Sequence, residues 1–109
     1  SGKLPLWLAP VQVRLLTINT SNIKFAEELM SRLKDDNIRA ELDDRQETIS
    51  KKVRDAQLAK VNLIVTIGDK EQKSKTLAIR TLDGKVRFGI KIDSFIEETI
   101  EKIAKKDVK

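Results

Sequence analysis

Glu71 stands in the stretch Gly68-Asp69-Lys70-Glu71 as a carboxylate among cations, with Lys73 and Lys75 close behind it. An ionised carboxylate only accepts hydrogen bonds. It can therefore take both donors, N1–H and N2–H, on the Watson–Crick edge of guanine, an edge that is free only when the base is unpaired. Arg80 follows in Leu77-Ala78-Ile79-Arg80, where strand alternation sets it on the face opposite Leu77 and Ile79. Arg45, Lys51, Lys52, Arg54, Lys60, Lys85 and Arg87 surround the pair in sequence. Such cations hold phosphates by charge, and arginine can also address a base edge bidentately. A lone Glu in this company also fits a surface ion pair, so both readings stand at this point.

Other chemistry is less well supplied. Asp43 and Asp44, with Asp69 beyond a later strand, are residues from which a magnesium or phospho-acceptor pocket could be built, but the first strand ends without an acid; loop capping and pairing with Arg45 is the competing role. Gly68 alone makes no phosphate-cradling glycine pattern. Glu97 and Glu98 read as a solvated helix face. The chain has no Cys and no His, which removes disulfides, thiolate nucleophiles and the commonest general base and metal ligand. Phe25, Phe88 and Phe95 all fall on core-facing spacings, an expectation that excludes an aromatic platform for bases and leaves base reading to polar side chains.

The charge pattern agrees with a polyanionic partner. The 109 residues carry a net charge of +5, but the charge is uneven. Residues 45–92 hold twelve basic and five acidic side chains, a net +7, while the segments on either side are each −1. A length of 109 residues suits one domain, and 39% apolar with 36% charged residues suits a well-solvated globular fold. No apolar run approaches the roughly 20 residues of a membrane span, and no membrane partner is expected. Ser1 and Gly2 resemble the remnant of a cleaved tag.

The elements that must position these side chains follow from periodicity. Val11, Val13, Leu15, Leu16 and Ile18 predict a first strand, and Thr20 or Ser21 can cap a helix carrying Phe25, Ala26, Leu29, Met30 and Leu33. Asn37 suits a left-handed helix stop. Ile38, Ala40 and Leu42 alternate as a half-buried strand, and Thr48 caps a second helix with Ile49, Val53, Ala56 and Ala59. Val61–Ile67 is the most continuous apolar run and predicts a central strand covered on both faces. A polar stretch at 68–75 leads to two strands joined by a turn at Asp83-Gly84. A last helix carries Ile96, Ile100 and Ile103, with Ser94 and Glu97 at capping-box spacing. The fold class is therefore α/β: a mixed five-stranded β-sheet flanked by three helices. Residues 1–10 are expected to be tag remnant and interdomain linker, with Trp7 either on this domain or on a neighbour, and residues 11–109 the domain itself.

Four blocks in order, Trp7-Leu-Ala-Pro-Val-Gln-Val13, residues 43–57, Ile67-Gly-Asp-Lys-Glu71 and residues 78–85, resemble the C-terminal anticodon-binding domain of threonyl-tRNA synthetase, a class II aminoacyl-tRNA synthetase. The resemblance runs from about Leu4 to about Lys105. It implies a class II synthetase anticodon-binding-domain-like fold that recognises the anticodon of threonine tRNA. Its second and third letters, G and U, are those that threonine codons require. Carried onto matching positions, the base-reading residues are Gln46, Lys60, Glu71 and Arg80; from their charge, Arg45, Lys51, Lys52 and Arg54 are expected to contact the phosphate backbone. Gln46 stands where the family's bacterial pattern has Asn, Lys60 where it has Arg, and Ser50 where it often has Gly.

The resemblance further implies a cytoplasmic parent enzyme, a homodimeric ATP-dependent threonine–tRNA ligase using magnesium and zinc. This non-catalytic, monomeric domain would partner its catalytic domain, and no cofactor or metal would bind the domain itself. An alternative is a non-catalytic protein-interaction module of the same fold, as in synthetase-like regulatory proteins or accessory subunits of mitochondrial DNA polymerase.

Overall fold

Residue order translates into β1 (Val13–Thr17), α1 (Ile23–Asp35), β2 (Ala40–Asp43), α2 (Ile49–Leu58), β3 (Leu63–Ile67), α3 (Asp69–Ser74), β4 (Thr76–Thr81), β5 (Val86–Lys91) and α4 (Ile92–Ala104), with 3-10 turns at Leu6–Leu8 and Thr20–Asn22. The computed structural model describes residues 5–105; the predicted tag remnant at Ser1 and Gly2 lies outside them. The sheet order is β2-β1-β3-β4-β5. β1 runs parallel to β2 and β3, whereas β4 is antiparallel to β3 and β5. The mixed five-stranded sheet is as predicted, with β3 at its centre. Among the described residues no helix is long and apolar enough to cross a membrane.

Local signals account for several boundaries. Thr48 Oγ1 accepts from Lys51 N–H at 3.2 Å and starts α2. Asn37 takes φ 60° after α1, the left-handed stop that its side chain tolerates. Other expectations need correction. The described residues form four α-helices rather than three, because the polar stretch after Gly68 folds as α3. That segment has no apolar stripe to announce it; Glu71 caps its start, and Lys75 at φ 56° ends it. Neither Thr20 nor Ser21 caps α1: they lie in the 3-10 turn Thr20–Asn22, which is capped by Asn19 and closed by Asn22 Oδ1 accepting from Asn19 N–H at 3.0 Å, and α1 follows directly from Asn22. Ser94 is not a cap, because β5 runs directly into α4 at Ile92 and Ser94 falls inside the helix.

The two sheet faces are covered unequally. On one, α1 and α4 bury Val13, Leu15, Val65, Ile67, Leu77 and Ile79 under Leu29, Leu33, Phe95 and Ile96. Each such aliphatic side chain contributes about 1.5–3 kcal/mol relative to exposure. On the other face, α2 packs Ala56, Val53 and Ile49 against Leu16 and Ile64. That covering stops short of β4 and β5, which therefore keep an open surface beside the helix.

The lead-in to β1 is docked on this domain. Leu6 and Ala9 are buried, and buried Gln12 ties the segment down: its Nε2 donates to Leu6 O at 2.9 Å and its Oε1 accepts from Arg39 N–H at 2.8 Å. Arg39 Nε adds a bond to Ala9 O at 2.8 Å. Trp7 is half-buried, and Leu8 remains exposed.

A β-bulge decides which way β5 faces. Ile79 pairs with Arg87 and Leu77 with Ile90, so Ala78 opposes both Phe88 and Gly89. Gly89 supplies the φ of 66° that the extra residue requires. Strict alternation would put Val86, Phe88 and Ile90 on one face. With the bulge, Ile90 packs on the α1/α4 core while Phe88 stays on the α2 side, 74% exposed. The expectation that Phe88 faces the core is thus wrong: it shares the face of Val86, and the phase change at Gly89 separates it from core-facing Ile90.

Candidate nucleic-acid interface

The open surface beside α2 is a cleft of about 480 Å³. Ile49, Ser50, Val53 and Gln57 of α2 form one wall, and Ala78, Arg80, Val86 and Phe88 of β4 and β5 form the floor, with Glu71 and Ile18 at one end. The structure therefore brings Glu71 and Arg80, read separately in the sequence, into one cavity.

Glu71 is fixed by its own helix. Its Oε1 accepts from the Gly68 N–H at 2.8 Å, satisfying a donor that the start of α3 would otherwise leave open. A carboxylate has room for about four hydrogen bonds, so this bond orients the group without exhausting it. Gly68 is needed for contact rather than backbone freedom: a Cβ there would lie 2.7 Å from Ile18 Cδ1 and 3.1 Å from Glu71 Oε1. The first turn of α3 is itself anchored, because Asp69 Oδ1 accepts from Asn22 Nδ2 at 2.9 Å and from Ser21 Oγ at 3.3 Å. Asn22 Nδ2 also donates to Gln72 Oε1 at 2.8 Å.

Arg80 sits between Ile64 of β3 and Val86 of β5 in register. It is half-buried on the α2 side, as its alternation predicts, and among the described residues it makes no ion pair. Its guanidinium is thus a cation lining the cleft with its donors uncommitted to an internal carboxylate.

The remaining predicted residues are dispersed. Gln46 is exposed in the bend after β2 and lines a neighbouring hollow; Ile18 forms the rim shared with the main cleft. Lys60, at φ 61° just past α2, lines a different hollow with Pro10, Val11 and Arg14. Arg45 is clamped: it donates to Asp43 Oδ1 and Oδ2, both at 2.8 Å, and to Asp55 Oδ2 at 2.9 Å. Those hydrogen bonds hold both carboxyls below the ordinary aspartate range and raise the guanidinium further. Lys51 and Arg54 are exposed on α2, Lys51 Nζ lying 4.0 Å from Asp55.

Lys52 departs from its expected role as an exposed phosphate contact. It is 2% exposed, and its Nζ donates to Thr17 O at 2.7 Å, joining α2 to the end of β1. Periodicity counts it as a surface lysine, but its long stem reaches under the helix. The acidic pocket does not assemble either. Asp43 is held by Arg45 and Asp69 by Ser21 and Asn22, and among the described residues no group of three acids is placed to hold a metal. The cleft residue missed by sequence reasoning is Phe88; the available signal was Gly89 directly after it in an alternating strand, a bulge marker.

Comparison with known proteins bears on what such a cleft is for. Residues 12–102 match the model of a family described as anticodon binding domain. The chain belongs to that anticodon-binding family. This anticodon-binding domain is 48% identical over 103 residues to a threonine–tRNA ligase of Desulfatibacillum aliphaticivorans, and 47% identical over 106 residues to that of Desulfosudis oleivorans. Those matches cover 94% and 97% of the chain but only 16% and 17% of the relatives' lengths. Among solved structures, the RNA binding domain of threonyl-tRNA synthetase from Cryptosporidium parvum superposes with a TM-score of 0.88 at 28% identity, over 93% of this chain and 26% of that one. Prolyl-tRNA synthetase from the same organism shares the fold, with a TM-score of 0.76 at 22% identity. The resemblance to the threonyl-tRNA synthetase domain thus holds across nearly the whole anticodon-binding domain.

Proposed function

We propose that the domain reads the anticodon of threonine tRNA on behalf of a threonine–tRNA ligase, recognising its second and third letters, G and U. The observation that carries this reading is the shared cleft of Glu71 and Arg80, open beside α2 and floored by apolar side chains. A base reaching it must leave the stack of the anticodon loop and present its Watson–Crick edge. Guanine offers N1–H and N2–H to the Glu71 carboxylate. Adenine instead presents an N1 lone pair, which the carboxylate repels, so G is selected by both attraction and repulsion. Arg80 donates to the carbonyl oxygens of uracil. Gln46, across the Ile18 rim, supplies a donor and an acceptor to the neighbouring part of the loop.

Lys51, Arg54 and Lys60, with the exposed part of Arg45, hold the RNA backbone, which positions the loop without specifying it. Lys52 braces α2 instead. In this reading ATP, magnesium and zinc belong to the catalytic part of a homodimeric cytoplasmic enzyme. A chain without Cys or His lacks the usual donors for a zinc site.

The test is titration with threonine anticodon stem-loops against versions with G or U replaced, repeated across salt concentrations. Loss of binding on either replacement supports the reading. Equal affinity for all, falling steeply with salt, leaves charge alone and sinks it.

A further inference from the structure

We propose that Phe88 is a stacking platform on which an unpaired base of the bound RNA loop lies; the proposal rests on the anticodon-reading function above. Phe88 is the most exposed of the large apolar side chains among the described residues, at 74%, and it belongs to the same cleft as Glu71 and Arg80. Its face is set by the pairing of Val86 with Arg80, and it stays exposed because α2 stops short of β5, while the Gly89 bulge turns Ile90 alone into the core.

The position suits a base. Along the open face, Val86 is level with Arg80, and Phe88 comes next, opposite Ala78, toward the carboxyl end of β3 where α3 carries Glu71. The ring therefore follows Arg80 along the open face, toward the end of β3 that leads into the helix of Glu71, and all three line one cleft. Edge hydrogen bonds lie in the plane of a base and stacking is perpendicular to it, so one base can use Phe88 with its face and a polar group with its edge. Stacking tolerates any base, because every base has a π-face. Phe88 accordingly supplies affinity, and Glu71 and Arg80 supply choice.

Three variants and one probe separate these roles. Phe88→Leu keeps apolar bulk and removes the π-face; it should weaken every stem-loop by about five- to a hundredfold while leaving the preference for G and U intact. Phe88→Trp should bind within about twofold of the wild type, since indole stacks as well as phenyl. A stem-loop with 2-aminopurine at each anticodon position in turn, measured with the domain at saturating concentration so that a lost edge contact does not empty the site, should show stacking quenching at one position, absent with Phe88→Leu. Glu71→Gln should show the opposite pattern, keeping the quenching and losing preference for G.

Wild-type affinity in Phe88→Leu, or equal losses in the Leu and Trp variants, overturns the platform even if the domain discriminates G and U. A wild type that ignores base replacement, with Phe88→Leu still weakened, overturns anticodon reading and leaves the platform standing. Should Phe88→Leu fail to fold, the Trp variant's affinity and the wild-type quenching decide: loss of binding in Phe88→Trp, or no quenching at any position, overturns the platform.

Discussion

The Gly68 amide donates to Glu71 Oε1 at 2.8 Å, so a single carboxylate caps α3 and lines the cleft at the same time. The cap fixes the carboxylate's orientation before any ligand arrives. Binding then costs less side-chain ordering than it would with a freely rotating Glu.

Glu71→Gln separates the two duties. The amide oxygen can still accept from Gly68, while the amide nitrogen turns a donor toward guanine's own donors. Thermal stability should stay close to that of the wild type, and discrimination for G should fall by about 1–3 kcal/mol, as for other direct base contacts. Paired melting curves and stem-loop titrations check both halves. Undiminished preference for G would remove Glu71 as a reader.

Gly68→Ala should disturb the same carboxylate from behind. The backbone φ of −118° accommodates alanine, so the cost comes from the new Cβ against Ile18 Cδ1 and Glu71 Oε1. Overpacking of this kind costs about 1–3 kcal/mol. Adding Ile18→Ala should recover part of that loss, because it removes the nearer clashing atom. A double-mutant cycle in urea measures the coupling; strict additivity would contradict the contact.

Lys52→Met should act on folding rather than on RNA. Losing the Nζ bond leaves Thr17 O buried without that donor, a penalty of about 1–3 kcal/mol. The urea midpoint should drop while affinity per folded molecule holds. Full stability with uniformly weaker RNA binding would return Lys52 to the phosphate contacts.

Arg45 predicts an acid limb. Its hydrogen bonds lower the folded-state values of Asp43 and Asp55 below their unfolded ones. Stability from this clamp is therefore fully present above about pH 4, the unfolded carboxylate range, and drains as pH falls toward the lowered values. Arg45→Ala should be less stable at pH 7 and show a flatter decline below about pH 4. Urea midpoints between neutral and strongly acidic pH test this, and a parallel decline in both proteins would contradict the clamp.

The sequence by itself determined the strands, the three longer helices, the face of Arg80, the Thr48 cap and the Asn37 stop. Each is local: periodicity and capping act within a few residues, so they survive without knowledge of the partners. The anticodon-binding family was also legible, through blocks whose residues are neighbours in the chain.

Only the tertiary structure decided what depends on distant pairing. Phe88 lies in the cleft rather than the core because the pairing of Val86 with Arg80 sets its face, and Gly89 then breaks the alternation that would have tied it to core-facing Ile90. Lys52 moved from surface to interior because Thr17, 35 residues away, offers its carbonyl under α2. α3 had no apolar stripe to reveal it and exists through the Gly68–Glu71 cap and the Asn22–Asp69 anchor. Glu71 and Arg80 share a cleft, whereas Lys60 lines another, because sheet register, rather than spacing along the chain, sets which side chains meet.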